Sequence, residues 1–244
     1  MEYFIPGEPE FRIKHPSNIL ISAPSNSGKT YLLTKILLSG EAAVTVTYDR
    51  IIYCFNVYLS ETFKILKESN LPVSFIKGLP TDFAALELDS ALNNCIILDD
   101  LSEDAVDSAE VKNLFCCYGH HFNTSVFLLS QNYFAKGKYA RDIRANIKYF
   151  IIFKNPCDRV EIQILQNRIV APLSKYFSEA CSLATEPSRG YLLYDGSSDI
   201  NDIFRLRTDI TNTINEFTVF IPEALLHKLP QTPLIPNYGT FATL

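Results

Sequence analysis

Short apolar blocks alternate with amphipathic stretches along this chain, and the two spacings predict different elements. Near-continuous apolar runs of strand length fall near 18–22, 50–55, 95–99, 124–130 and 148–154. Such runs suit strands buried on both faces of a parallel sheet. Helical spacing follows near 29–39, 60–69, 104–118 and 158–169, with one more helix expected over 171–185. Strand and helix in alternation predict an α/β domain whose parallel strands are joined by right-handed crossovers. Tyr191–Leu193 and Ile203–Leu206 predict a small hairpin around the turn Asp195-Gly196-Ser197-Ser198. Pro6, Pro9 and Pro16 mark 1–17 as an extended lead-in, and Pro222, Pro230, Pro233 and Pro236 mark 211–244 as an arm or tail. The domain proper is therefore expected over 18–210, without internal repeats.

The junction of the first strand and first helix carries the strongest chemistry. Ala23-Pro24-Ser25-Asn26-Ser27-Gly28-Lys29-Thr30 matches the phosphate-binding loop G-x-x-x-x-G-K-[ST] except for Ala23 at the first glycine. The amides of Ser27, Gly28, Lys29 and Thr30 open a helix, where unpaired N–H groups and the positive dipole end attract a polyphosphate. Ser25 and Asn26 complete the loop. Lys29 reaches the β and γ phosphates in such loops, and the Thr30 hydroxyl suits a magnesium ion bridging them. ATP and Mg2+ are the expected cofactors.

The apolar run Cys95-Ile96-Ile97-Leu98 ends in Asp99-Asp100. Acids at the carboxyl end of a buried parallel strand stand where α/β proteins bind ligands. Asp99 is read as the magnesium partner and Asp100 as the group that orients or deprotonates an attacking water. The run at 124–130 ends in Gln131-Asn132, and an amide there can sense the γ phosphate and hold the water in line.

Composition narrows the class without deciding it. The chain has 244 residues, long enough for one large domain with a sizeable core. Apolar residues make up 47% of it, yet no run approaches the ~18 residues that cross a bilayer. The opening Met1 to Gly7 lacks the regions of a secretory signal, so an intracellular location is expected. Cys54, Cys95, Cys116, Cys117, Cys157 and Cys181 show no C-x-x-C spacing and read as buried thiols in a reducing compartment. Cys116-Cys117 with His120-His121 raises a zinc site, against which stands Gly119 as the expected helix end.

A net charge of −5 excludes an indiscriminately basic nucleic-acid binder. It leaves room for a local cationic surface. Lys136, Lys138, Arg141, Arg144 and Lys148 cluster with a single acid among them, Asp142, and with Tyr133, Phe134 and Tyr139 interleaved. Lys136, Lys138, Arg144 and Lys148 are candidate DNA contacts, with the turn at 135–138 expected to be mobile. Arg141 or Arg144 is a candidate arginine finger acting on a neighbouring subunit's ATP.

Together the Ser-Gly-Lys-Thr loop, Ile96-Ile97-Leu98-Asp99-Asp100, Leu128-Leu129-Ser130-Gln131-Asn132 and Ile143 to Lys154 resemble the ATPases of the FtsK–HerA superfamily. The resemblance is nearest to the short members that package genomes of double-stranded DNA viruses, virophages and polinton-like elements. His120-His121, Phe153-Lys154-Asn155-Pro156, Gly190 to Asp195 and Arg205 to Asp209 also fit that branch. Asn132 departs from the arginine that bacterial translocases carry after the sensor glutamine. The resemblance implies a P-loop NTPase with a mainly parallel RecA-like sheet, working as a homo-oligomeric, hexameric ring. It implies double-stranded DNA and capsid or portal-vertex proteins as partners, no membrane, and a place in host cytoplasm, virus factory or nucleus. It gives His120 and His121 a role near the nucleotide or a subunit boundary. Two other readings stay open: a P-loop nucleotide kinase with Arg141 and Arg144 as a lid, and a non-hydrolysing, ATP-gated assembly adaptor.

Overall fold

The computed structural model describes residues 11–133, 135–156, 162–164, 166–167, 174–211, 217–221 and 240–243. Its strands are β1 (Asn18–Ser22), β2 (Arg50–Phe55), β3 (Val73–Lys77), β4 (Asn94–Asp99), β5 (Thr124–Ser130), β6 (Tyr149–Phe153), β7 (Tyr191–Asp195), β8 (Leu206–Thr208), β9 (Thr218–Ile221) and β10 (Thr240–Thr243). They form one sheet in the order β10-β9-β8-β7-β6-β1-β5-β4-β2-β3. From β6 to β3 all pairs are parallel. The pairs β6–β7, β7–β8 and β8–β9 are antiparallel, and β10 lies parallel to β9.

Every residue of β1, β4, β5 and β6 is buried, as continuous apolar runs require. Because successive side chains point to opposite faces, each strand feeds two cores. Ile19, Ile21, Ile97, Phe127 and Leu129 meet Leu33 and Ile36 of α1 (Lys29–Ser39) on one face. Leu20, Ile96, Leu98, Val126 and Leu128 share the other face with Val111, Leu114 and Phe115. The lead-in joins the first core: Phe11 and Ile13 are buried, and Ile13 bridges to Val44.

Several expected elements are corrected. The helix expected over 104–118 is broken into α3 (Ser102–Asp107), α4 (Ala109–Asn113), a π-helical turn at Leu114–Tyr118 and α5 (Gly119–His121). Ser108 causes the first break, because its backbone is extended and its hydroxyl accepts from the Val111 amide at 3.2 Å, which starts a new helix. Gly119 does not end the helix; it is itself helical at φ −52°. The helix near 60–69 is α2 (Ser60–Glu68), and the element after 130 is α6 (Ala140–Ala145). The helix expected over 158–169 lies largely outside the described residues, whereas 171–185 contains α7 (Ser174–Ala184).

The hairpin strands are Tyr191–Asp195 and Leu206–Thr208, while Ile203 and Phe204 fall in a 3-10 turn. The Asn201 side chain accepts from the Ile203 amide, and the Arg205 guanidinium donates to the carbonyls of Asp195 and Ser197. Those bonds hold the connection as a turn. The arm expected over 211–244 contributes β9 and β10 to the sheet where it is described.

Candidate nucleotide site

The phosphate loop leaves the carboxyl end of β1 and enters α1 at Gly28, whose φ of 111° and ψ of 13° are left-handed. A side chain there would be strained, and its Cβ would stand 3.3 Å from Arg189 Cγ. The other left-handed loop residue is Asn26, with φ 62°. Asparagine tolerates that region. Ala23 at the first consensus glycine is not among the left-handed residues; it is buried, and its amide donates to Ser130 O at 3.1 Å. That is why the loop closes without the glycine.

Lys29 Nζ donates to the carbonyls of Ala23 at 2.6 Å and Pro24 at 3.2 Å, folded back across the loop. Burial lowers its pKa, and the charges of Asp99 and Asp100 oppose that shift. Asp99 is buried at 6% exposure. Its Oδ2 accepts from the Tyr53 hydroxyl at 2.6 Å, and the Thr30 hydroxyl stands near enough to favour the charged carboxylate. Burial raises the Asp99 pKa, against the hydrogen bond from Tyr53; Asp100 adds to the rise and Lys29 opposes it. Burial also pushes the Tyr53 phenol far above its usual range, so Tyr53 remains a donor.

Asp100, exposed and at φ 57°, accepts from Gln131 Nε2 at 2.9 Å. Gln131 Oε1 in turn accepts from Ser25 Oγ at 3.1 Å. A hydrogen-bonded chain thus ties the phosphate loop to the ends of β5 and β4. Adjacent strands bring these groups together, with β5 between β1 and β4. A cleft of about 880 Å³ opens there, lined by Asp100, Gln131, Asn132, Lys136, Glu103, Asp104 and others.

The arrangement fits a hard cation beside a polyphosphate. Thr30 and Asp99 can each supply an oxygen from neighbouring positions, and magnesium prefers oxygen ligands shared with phosphates over an all-protein cage. No group of three or more His, Cys, Asp or Glu side chains that could hold a metal occurs among the described residues.

The predicted cationic cluster does not form one surface. Lys136 and Lys138 follow β5 at the sheet's carboxyl edge, both exposed. Lys148 precedes β6 at the amino edge, where its amide donates to Asn18 O. The five residues of β1 separate the edges by ~13 Å. Arg144 is half-buried, and its Nη1 donates to Ala135 O at 3.1 Å, while Arg141 is exposed on α6. The turn at 135–138, expected to be mobile, is docked: Lys138 N donates to Asp107 Oδ1 at 2.7 Å and Tyr139 N to Val106 O. Phe134 lies outside the described residues. His121 precedes β5, so α5 stands at the amino edge, away from the phosphate loop. Cys54, Cys95 and Cys181 are buried as expected, Cys117 is exposed, and Cys157 lies outside the described residues.

Sequence reasoning missed Tyr53 and Arg189. Tyr53 sits in an apolar run, where a tyrosine reads as core. Arg189 lies over the Tyr31 ring at 4.6 Å and against Gly28, far from it in sequence.

No family model matches the chain, and no curated protein matches it. Among solved structures it is similar to the genome packaging NTPase B204 from Sulfolobus turreted icosahedral virus 2, in complex with AMPPCP. The two are 13% identical, the match covers 76% of this chain and 95% of that one, and the TM-score is 0.50. The likeness shows the fold: a mainly parallel α/β sheet flanked by helices.

Separating the adjacent carboxylates tests the site. Asp100→Asn should keep Mg-ATP binding and lower turnover by ~10². Asp99→Asn should raise the magnesium concentration needed for binding. Because burial raises the folded Asp99 pKa, its carboxylate is lost as pH falls through that raised value, so the magnesium requirement should climb earlier than for an ordinary aspartate. Titrations of nucleotide and magnesium against each variant decide it; a metal defect in Asp100→Asn alone reverses the two roles.

Proposed function

We propose that this protein is a magnesium-dependent ATPase that drives double-stranded DNA through a homo-oligomeric ring, packaging a viral genome into a capsid. The observation that carries the reading is the hydrogen-bonded chain Ser25–Gln131–Asp100 beside Lys29. In this reading that chain supplies a water-holding amide and a carboxylate at the γ-phosphate end of a phosphate loop, which is the equipment of hydrolysis. The similar solved structure is a genome packaging NTPase with an ATP analogue, which supports nucleotide binding and packaging as the use of that chemistry.

In this reading Lys29 holds the β and γ phosphates, and magnesium on Thr30 and Asp99 neutralises their charge. Asp100 takes the proton of a water that Gln131 holds in line. Ser25, now bonded to Gln131, registers whether the γ phosphate is present. The acidic cleft beside Asp100 suits an arginine from a neighbouring subunit. Val57 and Tyr58, at 55% and 60% exposure beside Asn56 on the same lip, suit the apolar part of that boundary. Arg141 is the finger we favour, because Arg144 already holds Ala135. Lys136 and Lys138 at the same edge are the DNA contacts, and Lys148 is left to the outer surface. Work in a virus factory or nucleus, with capsid or portal-vertex proteins, belongs to the same reading.

ATPase assays with and without double-stranded DNA test it. Turnover should rise on adding DNA, and the rise should weaken with salt as counterion release diminishes. Lys136→Glu with Lys138→Glu should remove the stimulation and leave basal turnover in place. Hydrolysis indifferent to DNA would reject the translocase, and phosphoryl transfer to a nucleoside would establish the kinase instead.

A further inference from the structure

The phosphate loop has an opening on each side of β1. On the β5 side stand Asp100 and Gln131, so the terminal phosphate of a bound triphosphate belongs there. The α phosphate and everything attached to it must then leave on the β6 side. A cavity of about 520 Å³ opens there beside Gly28, within the size range of small-molecule sites. Tyr31, Lys35, Arg189 and Asp209 are among the residues lining it. Topology delivers the last two: β7 is antiparallel to β6 and β8 to β7, so the residues before β7 and after β8 reach the same sheet edge as the phosphate loop.

Arg189 and Asp209 both hold left-handed backbone, at φ 62° and 59°. Asn26 and Asp100, across the loop, do the same at 62° and 57°. For a side chain as large as arginine, such backbone persists only where the surroundings over-determine it. At Gly190 they do: an added Cβ would stand 2.4 Å from Ala184 O, which fixes the chain immediately after Arg189. The Arg189 guanidinium lies on the Tyr31 ring and its stem on Gly28, making a flat wall close to the phosphates. Lys35 stands one turn further along α1, ~6 Å from Tyr31, and its charge acts on Asp209. Phosphate, sugar and base follow one another in a nucleotide, so the wall meets the sugar and the near part of the base, and Asp209 meets the base's far edge.

A carboxylate only accepts hydrogen bonds. Adenine presents an amino donor at its 6-position; guanine presents a carbonyl oxygen there and keeps its donors, N1–H and the 2-amino group, further round the same edge, so the selection depends on Asp209 facing the 6-position. We propose that this cavity is an adenine subsite in which Tyr31 and Arg189 form the wall and Asp209 accepts a hydrogen bond from the 6-amino group. The proposal rests on the nucleotide reading above and adds the residue that selects the base.

Calorimetric titration with ATP, dATP and purine riboside triphosphate, which lacks only the 6-amino group, tests it on the full chain with magnesium. The unaltered protein should bind ATP ~10-fold more tightly than purine riboside triphosphate, as expected for one hydrogen bond to a charged acceptor. Asp209→Ala should bind those two equally, and dATP should follow ATP in both proteins. Asp209→Asn preserves shape and guards against a folding defect; its amide can donate to a 6-oxo group, so ITP should gain on ATP. A preference for ATP that survives Asp209→Ala, one that follows the 2′-hydroxyl instead, or binding of GTP by the unaltered protein as tight as that of ATP overturns the assignment while leaving the nucleotide site intact. Failure of the unaltered protein to bind any of these nucleotides overturns both.

Discussion

Lys29→Ala is expected to abolish ATP hydrolysis, lowering turnover by ~10³ or more while the fold persists. The ammonium now spans the carbonyls of Ala23 and Pro24, acceptors that phosphate oxygens would replace on nucleotide binding. Its removal takes away the positive charge nearest the transferred phosphoryl group, an electrostatic contribution that water cannot replace in a confined site. Stability should change little, because Lys29 makes no buried ion pair with the carboxylates in the described contacts. The pH dependence has a definite sign. Burial lowers the Lys29 pKa, so its cation is present at low pH and is lost as pH rises through that lowered value. Nucleotide affinity should therefore decline on the alkaline side at a lower pH than an ordinary lysine would give, and Lys29→Arg should shift that limb upward. Normal turnover by folded Lys29→Ala would remove the phosphate loop from the account.

Arg141→Ala is the second large effect expected, a loss of ~10³ in turnover with nucleotide binding retained. In the proposed reading the finger acts between subunits, so turnover per subunit should increase steeply with protein concentration as a ring assembles. Inactive Lys29→Ala and inactive Arg141→Ala proteins should recover hydrolysis when mixed, one donating the finger and the other the phosphate loop. Arg144→Ala should behave differently, loosening the segment at Ala135 and lowering DNA stimulation more than basal turnover. Concentration-independent turnover, with no recovery in the mixture, would eliminate both finger and ring.

Much of the sheet's carboxyl edge could be read from local sequence because its parts are local. A phosphate loop needs a strand, a turn and a helix in consecutive residues, and Asn18 to Ser39 contain all of them. Asp99 and Asp100 end a run so apolar that it can only be an interior strand. The same logic found β1, β2, β4, β5 and β6, whose hydrophobic runs are continuous. It failed at β3, an edge strand whose partly exposed residues, Ser74 and Lys77 among them, weaken the apolar pattern. It failed again at Ser108, where one hydroxyl capping one amide divides what helical spacing presents as a single helix.

What sequence alone determined is the phosphate loop, the acid pair and the parallel α/β core, since each depends on residue type and spacing within one segment. The tertiary structure decided which distant residues share the site. Strand order placed β5 between β1 and β4, and only then could Gln131 bridge Ser25 and Asp100. Pairing of β2 with β4 put Tyr53 against Asp99. The direction of β6 sent Lys148 to the edge opposite Lys136, although they are only twelve positions apart in sequence. The antiparallel turn from β6 to β7 returned Arg189 to the phosphate loop. Hydrophobic periodicity reports which face of an element is buried, but it carries no record of which element lies beside it, and that adjacency is what assembles the site.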